Sequence, residues 1–221
     1  MGLFVTVEGI DGSGKTTLAR SLGQALTDNG IDAVFLDRKY TNYDSSYLAN
    51  FVNGLKTVLW DCSPNQPVTE VGDAGWYYLH ASWYAIFAKN ALQQHLEQYE
   101  VVIMDGWFYK IMARFLAKEL YLADALEAPF RELPKEDIGI YLDISPQLAS
   151  ERKLTFTDAE SGANEGYASG RKESFIAYQY RVKSHYDAIA YRNKWNIVDA
   201  SRDIDAVTSE VIPLIIQSVL S

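Results

Sequence analysis

The chain of 221 residues contains one cysteine, three histidines and six prolines. Its single cysteine, Cys62, excludes a disulfide within the chain and a zinc site built on cysteines. No apolar run approaches the length of a membrane-spanning helix, and no signal peptide is visible, so we expect a cytoplasmic protein. Basic residues are also in deficit, because the net charge is -9, which argues against a nucleic-acid or membrane surface as partner.

Apolar residues, by contrast, are plentiful at 48%, enough for a large core. Short β-rich runs alternate with helical periodicity, without an internal repeat or a domain boundary. This alternation predicts one α/β domain spanning residues 1–221, with five mostly parallel strands and helices on both faces. The predicted strands are 3–8, 32–36, 100–104, 138–144 and 195–198, and the longer helices are 45–60, 76–99, 111–126, 171–192 and 204–220. Helix 171–192 should bury Phe175, Tyr178, Val182, Tyr186 and Ile189.

A glycine-rich loop follows the first predicted strand and precedes a helical segment. Residues 9–16 read G-x-x-x-x-G-K-T, a pattern whose backbone N–H groups and helix N-terminus point at an anion. Lys15 can reach the β- and γ-phosphates of a nucleoside triphosphate, and the Thr16 hydroxyl can ligate Mg²⁺. The motif predicts ATP or GTP binding and a three-layer P-loop NTPase fold, without identifying the acceptor. The expected donor-binding residues are Gly9, Asp11, Gly12, Ser13, Gly14, Lys15, Thr16 and Thr17.

Charged residues end two further predicted strands. Arg38 and Lys39 follow the second strand, at the edge where parallel sheets bind ligands, and are either site residues or a solvated charge pair. Asp105 closes the third strand. Beside a phosphate loop, an aspartate in this position is typical of a carboxylate near the magnesium ion, although it could instead cap the next helix. We favour the functional interpretation of Asp105.

Residues 155–170 are polar and glycine-rich and lack periodicity, within a segment bounded at about 153–172. Such a segment predicts a mobile lid over the active site. A lid that brings cations onto a transferring phosphoryl group would stabilise its charge. The flanking cations are Arg152, Lys153, Arg171 and Lys172.

Aromatic side chains crowd the predicted helix 76–99. Most of them must belong to the core, although a few could line a flat pocket for a nucleobase. They are Trp76, Tyr77, Tyr78, Trp83, Tyr84 and Phe87. His80 lies among them without a cysteine or histidine at metal-ligand spacing, so we interpret it as structural.

Residues 4–17, F-V-T-V-E-G-I-D-G-S-G-K-T-T, resemble the opening of the thymidylate kinases, which belong to the P-loop nucleoside monophosphate kinases. Residues 195–207 are similar to that family's closing strand and loop, and 173–186 to the helix after its lid. The resemblance runs nearly end to end. It implies a homodimeric enzyme of nucleotide biosynthesis that uses ATP and Mg²⁺ to phosphorylate a nucleoside monophosphate, thymidylate above all.

The resemblance also implies roles for individual residues. Asp11 would contact the sugar 3′-hydroxyl, and Arg38 the acceptor phosphate. Tyr78 would stack on the base, and Asp105 would be the aspartate of the family's Asp-Arg pair near magnesium and acceptor. The loop from Ala200 to Arg202 would hold the adenine of ATP.

Gly12 occupies a position where some members of the family carry an arginine. Members without that arginine take the catalytic arginine from the lid. The resemblance therefore implies that Arg152 or Arg171 is catalytic in this chain.

Two departures from the family pattern concern the acceptor. Gly106 replaces the arginine after the aspartate, and Ser82 stands where the family reads the thymine edge with an arginine. Neither residue replaces a bidentate cation. Lys110 or Arg114 could refill the first gap, one or two helical turns further along.

Two other functions stay open at this point. A nucleoside kinase or another small-molecule kinase would transfer the phosphoryl group to a hydroxyl, with Asp105 or Glu8 as the base. A nucleotide-binding switch or regulatory subunit would hydrolyse ATP slowly, without an acceptor. The lid-like segment argues against the second of these functions.

Overall fold

The computed structural model describes residues 1–61 and 68–220. Its five strands form one sheet in the order β2-β3-β1-β4-β5, and every neighbouring pair is parallel. The predicted α/β architecture is thereby confirmed. The strands are β1 Leu3–Glu8, β2 Ala33–Phe35, β3 Val101–Met104, β4 Ile138–Asp143 and β5 Asn196–Asp199.

Helices cover both faces of the sheet, since all of β3 and the last five residues of β1 are buried. In the part of the chain that the structure describes, no helix is both long and apolar enough to cross a bilayer. The helices are α1 Lys15–Asp28, α2 Ser46–Trp60, α3 Asp73–Phe87, α4 Gln93–Gln98, α5 Tyr109–Leu116, α6 Ala123–Glu127, α7 Pro146–Glu151, α8 Asp158–Ser161, α9 Lys172–Arg192 and α10 Ile204–Val219.

The strand order gathers the predicted site residues at one edge. β1 lies between β3 and β4, and β2 lies beyond β3. The phosphate loop leaves the carboxyl end of β1, Asp105 leaves that of β3, and Arg38 follows β2. Three segments distant in sequence therefore meet where parallel α/β sheets bind their ligands.

The predicted helix 111–126 is wrong as a single element. The structure has α5 and α6 instead, separated by a turn in which Glu119 adopts a φ of 59°. A left-handed residue ends a helix, and such an end is usually marked by glycine or asparagine. Glutamate carries no such signal, so the sequence concealed the break.

The predicted helix 76–99 is confirmed in outline and corrected in detail. It begins earlier, at Asp73, and passes through a π-helical segment, Ala88–Leu92, before α4. A 3₁₀ helix, Val68–Val71, precedes it. The single cysteine, Cys62, lies outside the described residues.

The lid segment contains regular structure that periodicity did not predict. It forms α8 and a 3₁₀ turn, Ala163–Glu165, and the backbone N–H of Thr157 donates to Glu160 Oε2 at 3.0 Å in a capping box. Gly162 packs so closely on α9 that a Cβ there would lie 2.6 Å from the Tyr178 ring. The segment is therefore seated on α9, and its mobility stays a prediction.

Candidate functional site

The phosphate loop presents an open helix N-terminus. Gly14 is the N-cap of α1 with a φ of 96° and gives no side-chain cap within the described structure. The N–H groups of the first helical turn therefore remain available to an anion. Gly12 has a φ of 80°, and a Cβ there would lie 2.6 Å from the Ala149 carbonyl oxygen. Only glycine fits this close approach.

The side chain of Lys15 is buried and lies against the loop that precedes it. Its Nζ donates to the carbonyl oxygens of Gly9 at 2.9 Å and Ile10 at 2.6 Å. Burial lowers the pKa of Lys15, and the charge of Asp11 opposes that effect. The ammonium group thus lies at the loop, where it can exchange two carbonyl oxygens for phosphate oxygens.

Thr16 and Asp105 form a hydroxyl–carboxylate pair. Thr16 Oγ1 donates to Asp105 Oδ2, whereas Asp105 Oδ1 is buried and finds no hydrogen-bond partner among the described residues. A hydroxyl beside an unpartnered carboxylate oxygen fits Mg²⁺, which prefers oxygen ligands. Within residues 1–61 and 68–220, no group of three or more His, Cys, Asp or Glu side chains is placed to bind a metal. Magnesium sites that rely on one or two protein groups plus substrate phosphates have this character.

Two cations from α5 converge on Asp11. Lys110 Nζ lies 2.5 Å from Asp11 Oδ1, and Arg114 Nη2 lies 2.8 Å from Asp11 Oδ2. The two cations are four residues apart and therefore share one face of α5. Gln179 also donates from Nε2 to Asp11 Oδ2 at 3.3 Å and to the Glu160 carbonyl oxygen at 2.9 Å. Gln179, which the sequence analysis missed, thus links the phosphate loop to the lid.

The charges of this cluster shift its pKa values. Burial by itself would raise the pKa of Asp11, but Lys110, Arg114 and Lys15 outweigh burial and hold it well below its ordinary value. Burial lowers the pKa of Lys110 to about 7. The charge of Asp11 opposes this shift, whereas the charges of Arg114 and Arg38 add to it. A buried cationic cluster with a single central carboxylate is suited to a second anion.

Arg38 and Gly106 lie side by side. A Cβ on Gly106 would be 3.8 Å from Arg38 Nη1 and 3.7 Å from Glu8 Oε2. Trp83 Nε1 donates to the Arg38 carbonyl oxygen at 3.1 Å and holds the backbone of that loop. The structure therefore brings Arg38 to the carboxyl end of β3, next to Gly106, the position at which the thymidylate kinases carry an arginine.

Glu8 is a central residue of the site that we considered only as an alternative base. It is fully buried, and its two oxygens accept hydrogen bonds from Trp107 N at 2.6 Å and Tyr186 Oη at 2.9 Å. Burial raises the pKa of Glu8 to about 7. The available signal was a charged residue that ends a largely apolar strand, because a buried charge requires partners.

Glu8→Gln should flatten the pH dependence of stability. The pKa of Glu8 is raised from 4.5 to about 7 in the folded state, so between these pH values the folded state binds a proton that the unfolded state does not. The stability that this proton contributes is lost as the pH rises through 7. The wild type should lose about 2 to 3 kcal/mol of unfolding free energy from Glu8 between pH 5 and pH 8. Glutamine keeps the size of the side chain without the charge: its Oε1 can accept from Trp107 N, and its Nε2 would donate to Tyr186 Oη instead of accepting from it. Urea unfolding at both pH values measures this loss, and an equal loss in the variant would contradict the assignment.

A cavity of about 250 Å³ adjoins the phosphate loop. Arg152 crosses it, donating from Nη2 to the Ala200 carbonyl oxygen at 2.7 Å and from Nη1 to that of Ser13 at 3.4 Å. Thr17 and Arg202 also line this cavity. Arg171, the other predicted lid cation, is exposed at the N-cap of α9. The structure thus brings Arg152 to the predicted nucleotide site and leaves Arg171 in solvent.

Tyr78 and Ser82 lie on the outer face of α3. Tyr78 is 62% exposed, and Ser82, also exposed, donates to the Tyr78 carbonyl oxygen. The structure does not bring these two predicted substrate residues to a cavity. The inner face of α3 instead presents Trp76 and His80 to a cavity that Arg114 also lines.

Sequence comparison with known proteins finds similar proteins that match nearly the whole chain. No profile of a known protein family matches the chain. The chain is 28% identical over 220 residues to a probable thymidylate kinase of Staphylothermus marinus, covering 98% of this chain and 96% of that protein. It is 29% identical to a probable thymidylate kinase of Pyrococcus abyssi, with coverage of 97% and 96%. It is 24% identical to a thymidylate kinase of Dictyostelium discoideum, with coverage of 95% and 83%. Over nearly its whole length, the chain is similar in sequence to proteins named thymidylate kinase.

Proposed function

We propose that the protein transfers the γ-phosphoryl group of ATP to a nucleoside monophosphate, with Mg²⁺, and that the acceptor is thymidylate. The convergence of Lys110 and Arg114 on Asp11, beside a phosphate loop, carries this proposal. Such a cluster offers an anionic acceptor a site next to the donor. Relatives named thymidylate kinase over nearly the full length support it. Residues 1–221 would act as one domain, with 153–172 as the lid.

On the donor side, the chain supplies positioning and charge. The first-turn N–H groups of α1 and the Lys15 ammonium would hold the β- and γ-phosphates. Arg152 and the loop from Ala200 to Arg202 would place the nucleoside in the adjoining cavity. Thr16 and Asp105 would hold Mg²⁺, whose charge would offset the negative charge of the phosphates.

On the acceptor side, the chain carries Gly106 where the thymidylate kinases carry an arginine. Lys110, Arg114 and Arg38 would supply the positive charge of that arginine. Two phosphates repel each other, so the chemistry requires cations between donor and acceptor. Lys110 and Arg114 are already present at the phosphate loop, held in place by Asp11. An acceptor phosphate could share these cations, while Asp11 is also within reach of a sugar hydroxyl on that acceptor.

A hydroxyl acceptor would need a general base; of the two candidates, Glu8 is occupied by hydrogen bonds, and the unpartnered Oδ1 of Asp105 is the oxygen proposed to hold Mg²⁺. Both oxygens of Glu8 already accept hydrogen bonds, from Trp107 N and Tyr186 Oη. Asp105 is engaged by Thr16 through one of its oxygens. An acceptor phosphate is already ionised at neutral pH and needs no base. These contacts favour a monophosphate over a nucleoside as the acceptor.

An acceptor panel tests the proposal. ADP release from ATP and Mg²⁺ is measured with each nucleoside and each nucleoside monophosphate in turn. We expect thymidine monophosphate to give the highest kcat/KM and nucleosides to give none above background. Phosphorylation of nucleosides alone would support the hydroxyl-kinase alternative. ATP turnover that no acceptor accelerates would support the nucleotide-binding switch.

The homodimer and the cytoplasmic location implied above stay predictions. The outer face of α3 exposes Tyr78 and Ser82, and α2 exposes Tyr47 and Phe51, so these helices are a place to look for an interface. Light scattering coupled to gel filtration would measure the mass in solution directly.

A further inference from the structure

Gln179 is a polar residue on the inner face of α9. Its exposed fraction is 0%, and it lies between Phe175 and Val182, which belong to the same buried face. Buried polar groups in proteins nearly always have hydrogen-bond partners, so a glutamine in this position requires partners inside the fold. The phosphate-loop motif assigns no role to Gln179, and its contacts have to explain why it is there.

The side-chain amide of Gln179 is engaged at both of its polar atoms. Oε1 accepts a hydrogen bond from the backbone N–H of Asp11 at 3.3 Å, and Nε2 donates to Asp11 Oδ2 at 3.3 Å. Nε2 also donates to the Glu160 carbonyl oxygen at 2.9 Å. A backbone N–H can only donate and a carbonyl oxygen can only accept, so these partners fix the orientation of the amide. Both N–H groups of Nε2 are thereby used, and neither remains for a substrate.

The Glu160 carbonyl oxygen belongs to the last turn of the lid helix α8. Gly162, with a φ of 74°, ends that helix as its C-cap. The last carbonyl groups of a helix have no partner within it and need donors from elsewhere. Gln179 is such a donor, so a side chain of α9 caps the C-terminal end of the lid helix.

Packing places the lid on the face of α9 that carries Gln179. A Cβ on Gly162 would lie 2.6 Å from the ring of Tyr178, the neighbour of Gln179. The ring of Phe156, just before α8, lies 4.8 Å from that of Phe175, one helical turn before Gln179. The hydrogen bond to Glu160 is therefore part of a continuous contact between the lid and α9.

Asp11 joins this contact to the cations of α5. Asp11 Oδ2 accepts from Gln179 and from Arg114, and Asp11 Oδ1 accepts from Lys110. Because Gln179 binds both the backbone N–H and the carboxylate of Asp11, it fixes the direction in which that carboxylate points. One buried amide thus connects the lid helix to the carboxylate that holds both cations.

We propose that Gln179 is a positioning residue for phosphoryl transfer, which orients Asp11 towards Lys110 and Arg114 and seats the lid helix on the acceptor side of the phosphate loop. The inference rests on the proposed function and deepens it, because it names the side chain that joins the lid to the acceptor cations. Gln179 acts through Asp11 and Glu160 and does not touch the nucleotide. Its loss would loosen the acceptor cluster and the lid together.

Gln179→Met tests the inference, because methionine has a similar length and fills the space without forming these hydrogen bonds. We expect kcat/KM for thymidine monophosphate to fall about 10- to 100-fold, mainly through a higher KM, with the KM for ATP unchanged. Wild-type acceptor kinetics in folded Gln179→Met, or an equal rise in the KM for ATP, would overturn the inference.

Gln147→Met on α7 is the matched control. Gln147 is exposed, and its Oε1 accepts a hydrogen bond from Tyr180 of α9 at 2.6 Å, outside the Asp11 cluster. The same substitution there also breaks a hydrogen bond to α9, but it should leave the kinetics for both substrates as in the wild type. An equal acceptor defect in Gln147→Met would show that the effect is general to α9 and would contradict the role of Gln179.

Gln179→Glu separates hydrogen bonding from packing. The carboxylate keeps the shape of glutamine and an acceptor for the Asp11 N–H, but its other oxygen meets Asp11 Oδ2 and the Glu160 carbonyl oxygen without a donor. We expect a loss at least as large as that of Gln179→Met. If Gln179 only filled space, both variants would show wild-type acceptor kinetics once folded, and that result refutes the proposal.

Hydrogen exchange measures the lid contact without any turnover. The backbone amides of residues 158–166 should exchange about 5-fold faster in Gln179→Met than in the wild type, and Gln147→Met should leave them unchanged. Lid exchange that is the same in Gln179→Met and the wild type overturns the inference. If the wild type phosphorylates no monophosphate, the proposed function fails, and the exchange comparison still shows whether Gln179 seats the lid.

A measurement on the wild type covers the case in which no Gln179 variant folds. NMR of the isotopically labelled protein should find the Nε2 protons of Gln179 exchanging with solvent about 10-fold more slowly than those of exposed Gln147, because both N–H groups are buried and bonded. Similar exchange rates for the two side chains would mean that the Gln179 amide is not engaged, and the inference would be abandoned.

Discussion

Lys15→Ala should reduce turnover about 1,000-fold, the loss typical of removing one preorganised charge from a developing anion. Lys15 Nζ donates hydrogen bonds to the loop carbonyl oxygens of Gly9 and Ile10. Alanine cannot exchange those contacts for phosphate oxygens, so the β- and γ-phosphates lose their closest mobile cation. Steady-state ADP release with thymidine monophosphate, at saturating ATP and Mg²⁺, measures the effect.

The same variant should remain folded. Removing Lys15 forfeits its hydrogen bonds to Gly9, Ile10 and Ser13 but also relieves the burial of a charge, and these effects oppose each other. We expect the unfolding free energy to change by about 1 kcal/mol or less. Lys89→Ala, at an exposed position of the π-helical segment, is the matched control. Near-normal turnover in folded Lys15→Ala would remove the phosphate loop from the mechanism.

Lys110→Met should lower kcat/KM for the acceptor about 100-fold, while the KM for ATP stays unchanged. A charge-assisted hydrogen bond to a phosphate contributes about 1.5 to 3 kcal/mol, and methionine keeps the length of the side chain without the charge. Because burial lowers the pKa of Lys110 to about 7, the cation is lost as pH rises through 7. The wild-type kcat/KM for the acceptor should therefore fall above pH 7, and Lys110→Met should lack this fall.

Exposed Lys135→Met is the matched control for this charge removal. Arg114→Met and the double variant complete a cycle, in which coupling between Lys110 and Arg114 through Asp11 should appear as non-additive losses. A selective loss of ATP binding in Lys110→Met, with acceptor kinetics intact, would place Lys110 on the donor side and contradict the proposed acceptor clamp.

The sequence predicted those parts of the site whose residues are close together in the chain. The motif at residues 9–16 places Gly14, Lys15 and Thr16 together whatever the rest of the fold does, and the structure has the predicted strand, loop and helix there. Asp105 was predicted from an apolar strand ending on a carboxylate, and it lies beside Thr16. The inner face of α9 was also predicted correctly, because the five residues named for it are all buried.

The parts that the sequence did not predict depend on which way helices face. In α3, apolar and aromatic residues occupy most faces, so periodicity could not tell Tyr78 and Ser82 outside from Trp76 and His80 inside. The early end of α5 was hidden in the same way, since Glu119 carries no stop signal. Glu8 and Gln179 are polar residues whose partners lie far away in the chain.

By itself, the sequence determined that a parallel α/β sheet would present a phosphate loop at its carboxyl edge, because glycine spacing and alternating periodicity act over short distances. Only the tertiary structure decided what faces that loop. Lys110 and Arg114 reach Asp11 from about a hundred residues away, and a buried carboxylate recruits cations by proximity in space, which short-range patterns do not encode.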